Sequence, residues 1–268
     1  MARKWLAVPA IVAILALSAC GSSNATTSSS SGPARLTVLA AASLVNVFPK
    51  IGTMFTAEHP GVTFRFSFAG TDTLTAQIEQ GAKADVFAGA STTYGDELSG
   101  KGLIETPQPF CTNQLVLVVP PSNPANITSL KDLTNKGIKL VVAGPTVPVG
   151  SYTLKVLGSL DSTYGANYSK QVLANVVSQE TDVEAVLAKV KLGEADAGFV
   201  YITDSTAAGS SVKAITLPAY AQATATYPIA VVKASTNSGL AGQFVSYVLS
   251  PPAQQVLQSA GFGPPPTS

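Results

Sequence analysis

The sequence predicts an α/β fold in two lobes, each a small, mostly parallel sheet flanked by helices. Three observations predict it. From Arg35 onward, short apolar runs alternate with longer amphipathic ones, the pattern of buried strands covered by helices on both faces. Two such series occur, separated by "CTNQLVLVVP" (111–120). A late strand, "YPIAVVK" (227–233), follows the second series and leads back toward the first. The chain of 268 residues is long enough for two lobes and a sizeable core.

The first series opens with "RLTVLA" (35–40) as a strand. Residues 43–59 read as a helix, with Val47, Ile51, Met54 and Phe55 at helical spacing. Pro49 must kink or split it, because proline removes a helix hydrogen bond. Residues 61–69 alternate as a strand, and 71–81 form a helix stopped by Gly81. A short buried strand at 84–90 and a short helix at 92–102 complete the series. The second series has strands at 114–120, 138–144, 172–178 and 195–201, and helices at 129–137, 151–160 and 182–194. Two more strands, 212–218 and 227–233, precede one or two last helices broken at Pro251-Pro252. No internal sequence repeat is visible.

The N-terminus stands apart. "MARKWLAVPAIVAILALSAC" carries Arg3 and Lys4, an apolar stretch from Trp5 to Leu17, and then Leu17-Ser18-Ala19-Cys20. That stretch has the length of a signal-peptide core and is short for a membrane span. A cysteine directly after Leu-Ser-Ala resembles the lipobox of bacterial lipoproteins, so residues 1–19 are expected to be a lipoprotein signal peptide and Cys20 the lipidated residue. Several acyl chains on one residue would anchor the protein firmly, since a single chain is marginal. Residues 20–34 then form the lipidated cysteine and a flexible Ser/Thr tether. Cleavage removes Arg3 and Lys4, lowering the formal charge from +1 to −1, and takes away the only Trp. Cys111 keeps no partner but Cys20, so no structural disulfide is expected, and Cys111 reads as a small buried hydrophobe.

In open α/β sheets, ligands bind beyond the carboxyl ends of strands, where helices begin. Four such junctions share one chemistry: Ala40–Ser43, Phe68–Thr73, Ala143–Ser151 and Ser178–Val183. Each offers Ser, Thr, Gly or small residues, and the first three carry no Lys or Arg. A helix start presents free N–H groups and the positive end of the peptide dipole, a ready anion site. Hydroxyls can donate as well. The bland alternative is that these hydroxyls only cap their own helices.

The motifs themselves resemble a family. "LTVLAAASL" (36–44), "FSFAGTDTLTAQIEQGAKADVFAGA" (66–90), "NQLVLVVP" (113–120), "VPVGSYTLKVL" (147–157) and "ETDVEAVLAKVKLGEADAGFVYITD" (180–204) are similar, in order, to segments of the periplasmic molybdate-binding proteins of ABC importers, the ModA family. The resemblance implies the two-lobed, type II-like periplasmic binding protein fold. Lobe 1 would comprise 35–113 and 228–268, and lobe 2 residues 114–227. It implies that Ser43 donates its hydroxyl and N–H, and that Thr71 stands in for a second binding serine. Val149 and Val183 would offer backbone N–H groups, and Tyr201 its phenol. By residue type alone, Tyr201 ending a strand reads as a half-buried packing residue.

One departure bears on the ligand. The family's serine run is Gly70-Thr71-Asp72 here, so a carboxylate stands beside the expected anion site. Two negative groups together in a dry cleft are costly. Asp72 is therefore expected to favour its helix start and face water. If it faced the ligand instead, it would accept a proton that hydrogen phosphate has and molybdate, tungstate and sulfate lack.

Other functions fit less well. The single histidine, His59, lies in a helix end, and no nucleophile elbow or metal-ligand spacing is present, so no enzyme, cofactor or bound metal cation is expected. No basic run suggests nucleic acid. A sugar cleft usually stacks on Trp, and the mature chain has none. Arg35 and Arg65 are the only arginines left after cleavage, and Arg65 on its strand is expected to face solvent. The expected protein is a monomeric lipoprotein, anchored on the outer face of the cell membrane. It captures molybdate or tungstate between its lobes and hands it to an ABC permease. The alternative is a receptor for another tetrahedral oxyanion such as sulfate or phosphate.

Overall fold

The computed structural model describes residues 34–266. The expected signal peptide, Cys20 and the tether through residue 33 lie outside the described residues. The described chain begins with β1 (Ala34–Ala41), a short 3-10 turn at Ala42–Leu44, α1 (Phe48–Glu58), β2 (Val62–Ala69), α2 (Thr71–Glu79), β3 (Val86–Ala88), α3 (Thr92–Gly100) and β4 (Gln108–Val119). It continues through β5 (Leu140–Ala143), α4 (Pro148–Tyr164), α5 (Tyr168–Leu173), β6 (Val176–Glu180), α6 (Val183–Lys191), β7 (Ala197–Tyr201) and α7 (Ile202–Ala208). It ends with β8 (Lys213–Thr216), β9 (Thr224–Val231), α8 (Ser238–Val248) and α9 (Pro251–Ser259). Among the described residues no helix is long and apolar enough to cross a membrane.

The nine strands form one hydrogen-bonded order, β2-β1-β3-β9-β4-β7-β5-β6, with β8 paired to β4. This order holds a hidden symmetry. On one side β2, β1 and β3 run parallel and β9 joins β3 antiparallel. On the other β6, β5 and β7 run parallel and β4 joins β7 antiparallel. Thus two three-stranded parallel sheets, each with an antiparallel neighbour, are joined by the β4–β9 pair. The sequence expectation of mostly parallel sheets holds within each half. The antiparallel joints were not legible, because an apolar run does not reveal the direction of its partner.

Burial follows from these strands being covered. Leu36, Val38 and Ala40 of β1 belong to the main apolar core, while Leu39, on the opposite face, packs with Leu74, Ile78, Phe87 and Leu98 beneath α2 and α3. An aromatic cluster anchors the helices of the first half. Phe244 of α8 lies 4.8 Å from Phe64 and 5.4 Å from Phe55, ring centre to ring centre. Such pairs add to the area they bury. Cys111 is fully buried and free, as expected of a small hydrophobe, and Arg65 is exposed.

Several boundaries moved, each for a local reason. Pro49 splits the long helix, and it occupies the first turn of α1, where its missing N–H has no helical acceptor anyway. Residues 172–178 are not one strand. Tyr168 and Val172 are buried one helical turn apart in α5, and the strand begins only at Val176. Asn175 marks the break by donating through Nδ2 to the carbonyls of Leu133 and Asn135 at 2.8 Å. The helix expected at 129–137 is a 3-10 turn at Leu130–Thr134. The short α7 went unread because it follows β7 without an intervening turn residue.

Candidate functional site

Six strand ends meet at one cavity. In the first half the chain leaves β1 into Ser43, β2 into Thr71 and β3 into Ala90. In the second it leaves β5 into the turn before Val149, β6 into Val183, and β7 at Tyr201. All six residues line the cavity, whose volume is about 20 Å³. A single water needs about 10–15 Å³ measured this way, so the space suits one compact ion rather than a sugar or a peptide. All four junctions singled out in the sequence converge here. The five residues expected to bind are each at most 3% exposed.

The first half supplies hydroxyls. Ser43 sits inside the 3-10 turn and caps no helix; its Oγ lies 2.8 Å from Tyr227 Oη. Thr71 is the first residue of α2, and its Oγ1 accepts the Ala90 N–H at 3.0 Å. With that lone pair occupied by a donor, the Thr71 hydroxyl hydrogen is left for the cavity. The bland reading of these two as helix caps is thereby set aside.

The second half supplies backbone N–H groups and one phenol. The helix α4 starts at Pro148 without a side-chain cap, so Val149 N–H belongs to the orphan set of a helix start. This start lies very close to the preceding strand end. A Cβ on Gly150 would stand 2.5 Å from the Ala143 carbonyl oxygen and closer still to that of Gly144. At α6, Asp182 caps the Ala185 N–H through Oδ1 at 2.9 Å, and Val183 N–H lies ahead of that bond. The Tyr201 hydroxyl is buried and has no hydrogen-bond partner among the described residues. Burial first, and the neighbouring Tyr227 second, hold this phenol well above its usual range, so it is a neutral donor. The expectation from residue type alone, a half-buried packing tyrosine, is corrected: Tyr201 is buried at the cavity because β7 is central in its half.

Among the described residues the lining contains no Lys or Arg, and its one carboxylate, Asp182, is engaged with α6. Acids lie behind the second half. Asp204 Oδ2 accepts the Tyr201 N–H at 2.9 Å while Oδ1 is buried with no hydrogen-bond partner among the described residues. Burial and the Glu184 carboxylate push the Asp204 carboxyl well above its usual range. Burial likewise raises Glu184, helped by Asp182.

Asp72 does not line the cavity, and it does not simply face water either. It stands in the first turn of α2, where its charge suits the helix start. Its Oδ2 accepts from Thr146 Oγ1 of the opposite half at 2.9 Å, and its Oδ1 is buried with no hydrogen-bond partner among the described residues. Tyr94 of α3 donates to the Thr146 carbonyl at 2.5 Å. Thr146 is thus held twice by residues of the first half. Sequence reasoning missed Ala90, Tyr227 and Asn113. Ala90 carries no chemical signal, and a tyrosine and an asparagine on apolar strands look like ordinary sheet residues.

A two-half α/β sheet with a small donor cavity between its strand ends is the architecture of an extracytoplasmic solute receptor. The chain belongs to the bacterial extracellular solute-binding protein family, whose model matches residues 36–263. It is 40% identical over 257 residues to the molybdate-binding protein ModA of Mycobacterium tuberculosis (strain ATCC 25618 / H37Rv), covering 94% of each chain. It is 33% identical over 270 residues to the molybdate-binding protein ModA of Escherichia coli (strain K12), covering 98% of this chain and 99% of the relative. Its fold is similar to that of the Azotobacter vinelandii periplasmic molybdate-binding protein, with a TM-score of 0.74 at 21% identity, covering 86% of this chain and all of the other.

Proposed function

We propose that the cavity holds molybdate or tungstate and that the protein delivers this oxyanion to an ABC permease. The observation that carries this is the Tyr201 hydroxyl, buried, neutral and unpartnered, in a small cavity that faces a guest with donors from both halves. Ser43 and Thr71 donate hydroxyls, Val149 and Val183 donate backbone N–H groups, and Tyr201 completes the set. A dianion held by aimed dipoles needs no counter-ion, which agrees with the absence of Lys and Arg from the lining. The molybdate-binding relatives in two bacteria support the choice of oxyanion.

The lobes comprise residues 35–113 with 228–268, and residues 114–227. The return of β9 to β3 supports this division. Closure of the lobes over the anion presents a surface to the permease. The lipid anchor at Cys20 keeps the protein on the outer face of the membrane, supported by the Leu-Ser-Ala-Cys motif. The protein works as a monomer and as a carrier, not as an enzyme.

The test is thermal unfolding of the full chain in detergent with molybdate, tungstate, sulfate or phosphate. A ligand at a hundred times its Kd adds about 2.7 kcal/mol to stability. Molybdate and tungstate are expected to raise the Tm by several degrees at concentrations where phosphate does nothing, because hydrogen phosphate brings a hydrogen to a site built of donors. A rise with phosphate or sulfate alone would assign a different oxyanion. No rise with any of the four overturns the proposal.

A further inference from the structure

We infer that Tyr227 is a positioning residue: it donates its hydroxyl hydrogen to Ser43 Oγ and so turns the Ser43 hydrogen into the cavity. This role rests on the anion reading of the cavity given above. The argument is one of counting donors. Asn113 is buried, and its Oδ1 accepts the Gln114 backbone N–H at 3.0 Å. A backbone N–H can only donate, so the amide orientation is settled and Nδ2 faces the other way. There Nδ2 donates to Thr203 Oγ1 at 2.8 Å and, over a longer 3.5 Å, to Tyr227 Oη. Among the described residues Tyr227 Oη has two hydrogen-bond partners, and Asn113 Nδ2 cannot accept. Among the described residues, the one acceptor that Tyr227 Oη meets at hydrogen-bond distance is therefore Ser43 Oγ, at 2.8 Å.

Ser43 then receives one hydrogen and must place its own elsewhere. The cavity, which Ser43 lines, is where an acceptor arrives. The result is a buried relay, Asn113 to Tyr227 to Ser43 to anion, with every donor pointing the same way. Such aligned chains polarise one another. The arrangement parallels Thr71, whose oxygen is occupied by the Ala90 N–H. Each hydroxyl accepts from a protein donor behind it, which leaves its own hydrogen for the guest. Tyr227 is fully buried and burial raises its phenol well above the usual range, which keeps the hydrogen in place.

The experiment is a double-mutant cycle on the full chain in detergent, reading molybdate Kd by calorimetry and the anion-free Tm. Tyr227→Phe and Ser43→Ala are each expected to weaken molybdate roughly tenfold, the scale of one hydrogen bond to a charged group. The double variant is expected to bind no worse than Ser43→Ala alone, because Tyr227 acts only through Ser43. A Tyr227→Phe protein that binds like wild type, or two losses that multiply, overturns the relay. A purely structural role would lower the Tm without coupling the two losses. Asn113→Asp is the second variant, and it covers the case in which Tyr227→Phe fails to fold. Its carboxylate offers Tyr227 an acceptor on the wrong side, so the hydrogen leaves Ser43. Part of its loss in affinity is then expected to vanish in the Ser43→Ala background; a loss of equal size in both backgrounds counts against the relay. Failure of the wild-type protein to bind molybdate at all would instead refute the anion reading, so the two failures are distinguishable.

Discussion

The two halves of the molecule have the same strand order, β2-β1-β3-β9 and β6-β5-β7-β4, but they meet the cavity with different chemistry. After the first strand of each half stands Ser43 or Val149; after the second, Thr71 or Val183; after the third, Ala90 or Tyr201. The first half offers side-chain hydroxyls and the second mostly backbone N–H groups. Topology therefore fixes where donors are placed, while the residue at each strand end fixes what kind they are. A hydroxyl can rotate and must be held by a neighbour, as Tyr227 and the Ala90 N–H hold Ser43 and Thr71. A backbone N–H is aimed by its helix and depends on the helix start staying put.

The largest expected effect attacks that dependence. In Gly150→Ala the new Cβ would meet the carbonyl oxygens of Gly144 and Ala143, backbone atoms that cannot swing aside. The start of α4 must move, costing roughly 1–3 kcal/mol of stability by overpacking. Calorimetry should show molybdate affinity lost along with it. Retained affinity would mean that Val149 N–H plays no part.

Side-chain deletions on the two halves should then differ in sign. Thr71→Val removes a cavity donor and also strands the buried Ala90 N–H, so the anion-free Tm falls, by about 1–3 kcal/mol of stability, as molybdate binding weakens. Tyr201→Phe removes a hydroxyl that has no hydrogen-bond partner among the described residues. Its Tm without anion should hold or rise while its molybdate Kd weakens by about tenfold or more. Equal Tm losses for the two variants would break the comparison.

The smallest effect concerns the acids behind the second half. Asp204 has a folded pKa above its unfolded value, so in the folded protein it holds a proton that the unfolded chain has released. Its stabilising contribution is complete below the unfolded value of about 3.9 and is lost as pH rises through the folded value. The Tm of wild type relative to Asp204→Asn should therefore climb as pH is lowered from 8 toward 5. Glu184 acts in the same direction and is common to both proteins. A relative Tm that falls on acidification would mean that Asp204 is ionised in the fold.

The sequence by itself determined most of the order of strands and helices from Arg35 onward, though not α5 or α7, because alternating apolar runs and helical spacing are local signals. It also determined the chemistry of the four junctions and, through the resemblance of their motifs, the five residues that the fold gathers into one cavity. Local signals gave Pro49 as a break and Gly81 as a stop, where the φ of +83° suits glycine. They failed at Val172 and Leu173, since a short apolar run does not say whether it is helix or strand. Only the tertiary structure decided the antiparallel joints at β4 and β9, and with them a symmetry of topology that leaves no repeat in the sequence. It alone set Ala90 behind Thr71, Tyr227 behind Ser43, and Asp72 against Thr146 of the other half. These are contacts between residues 19, 184 and 74 positions apart in the chain. Hydrogen-bond direction is a property of who stands behind a hydroxyl, and no stretch of sequence around Ser43 contains that neighbour.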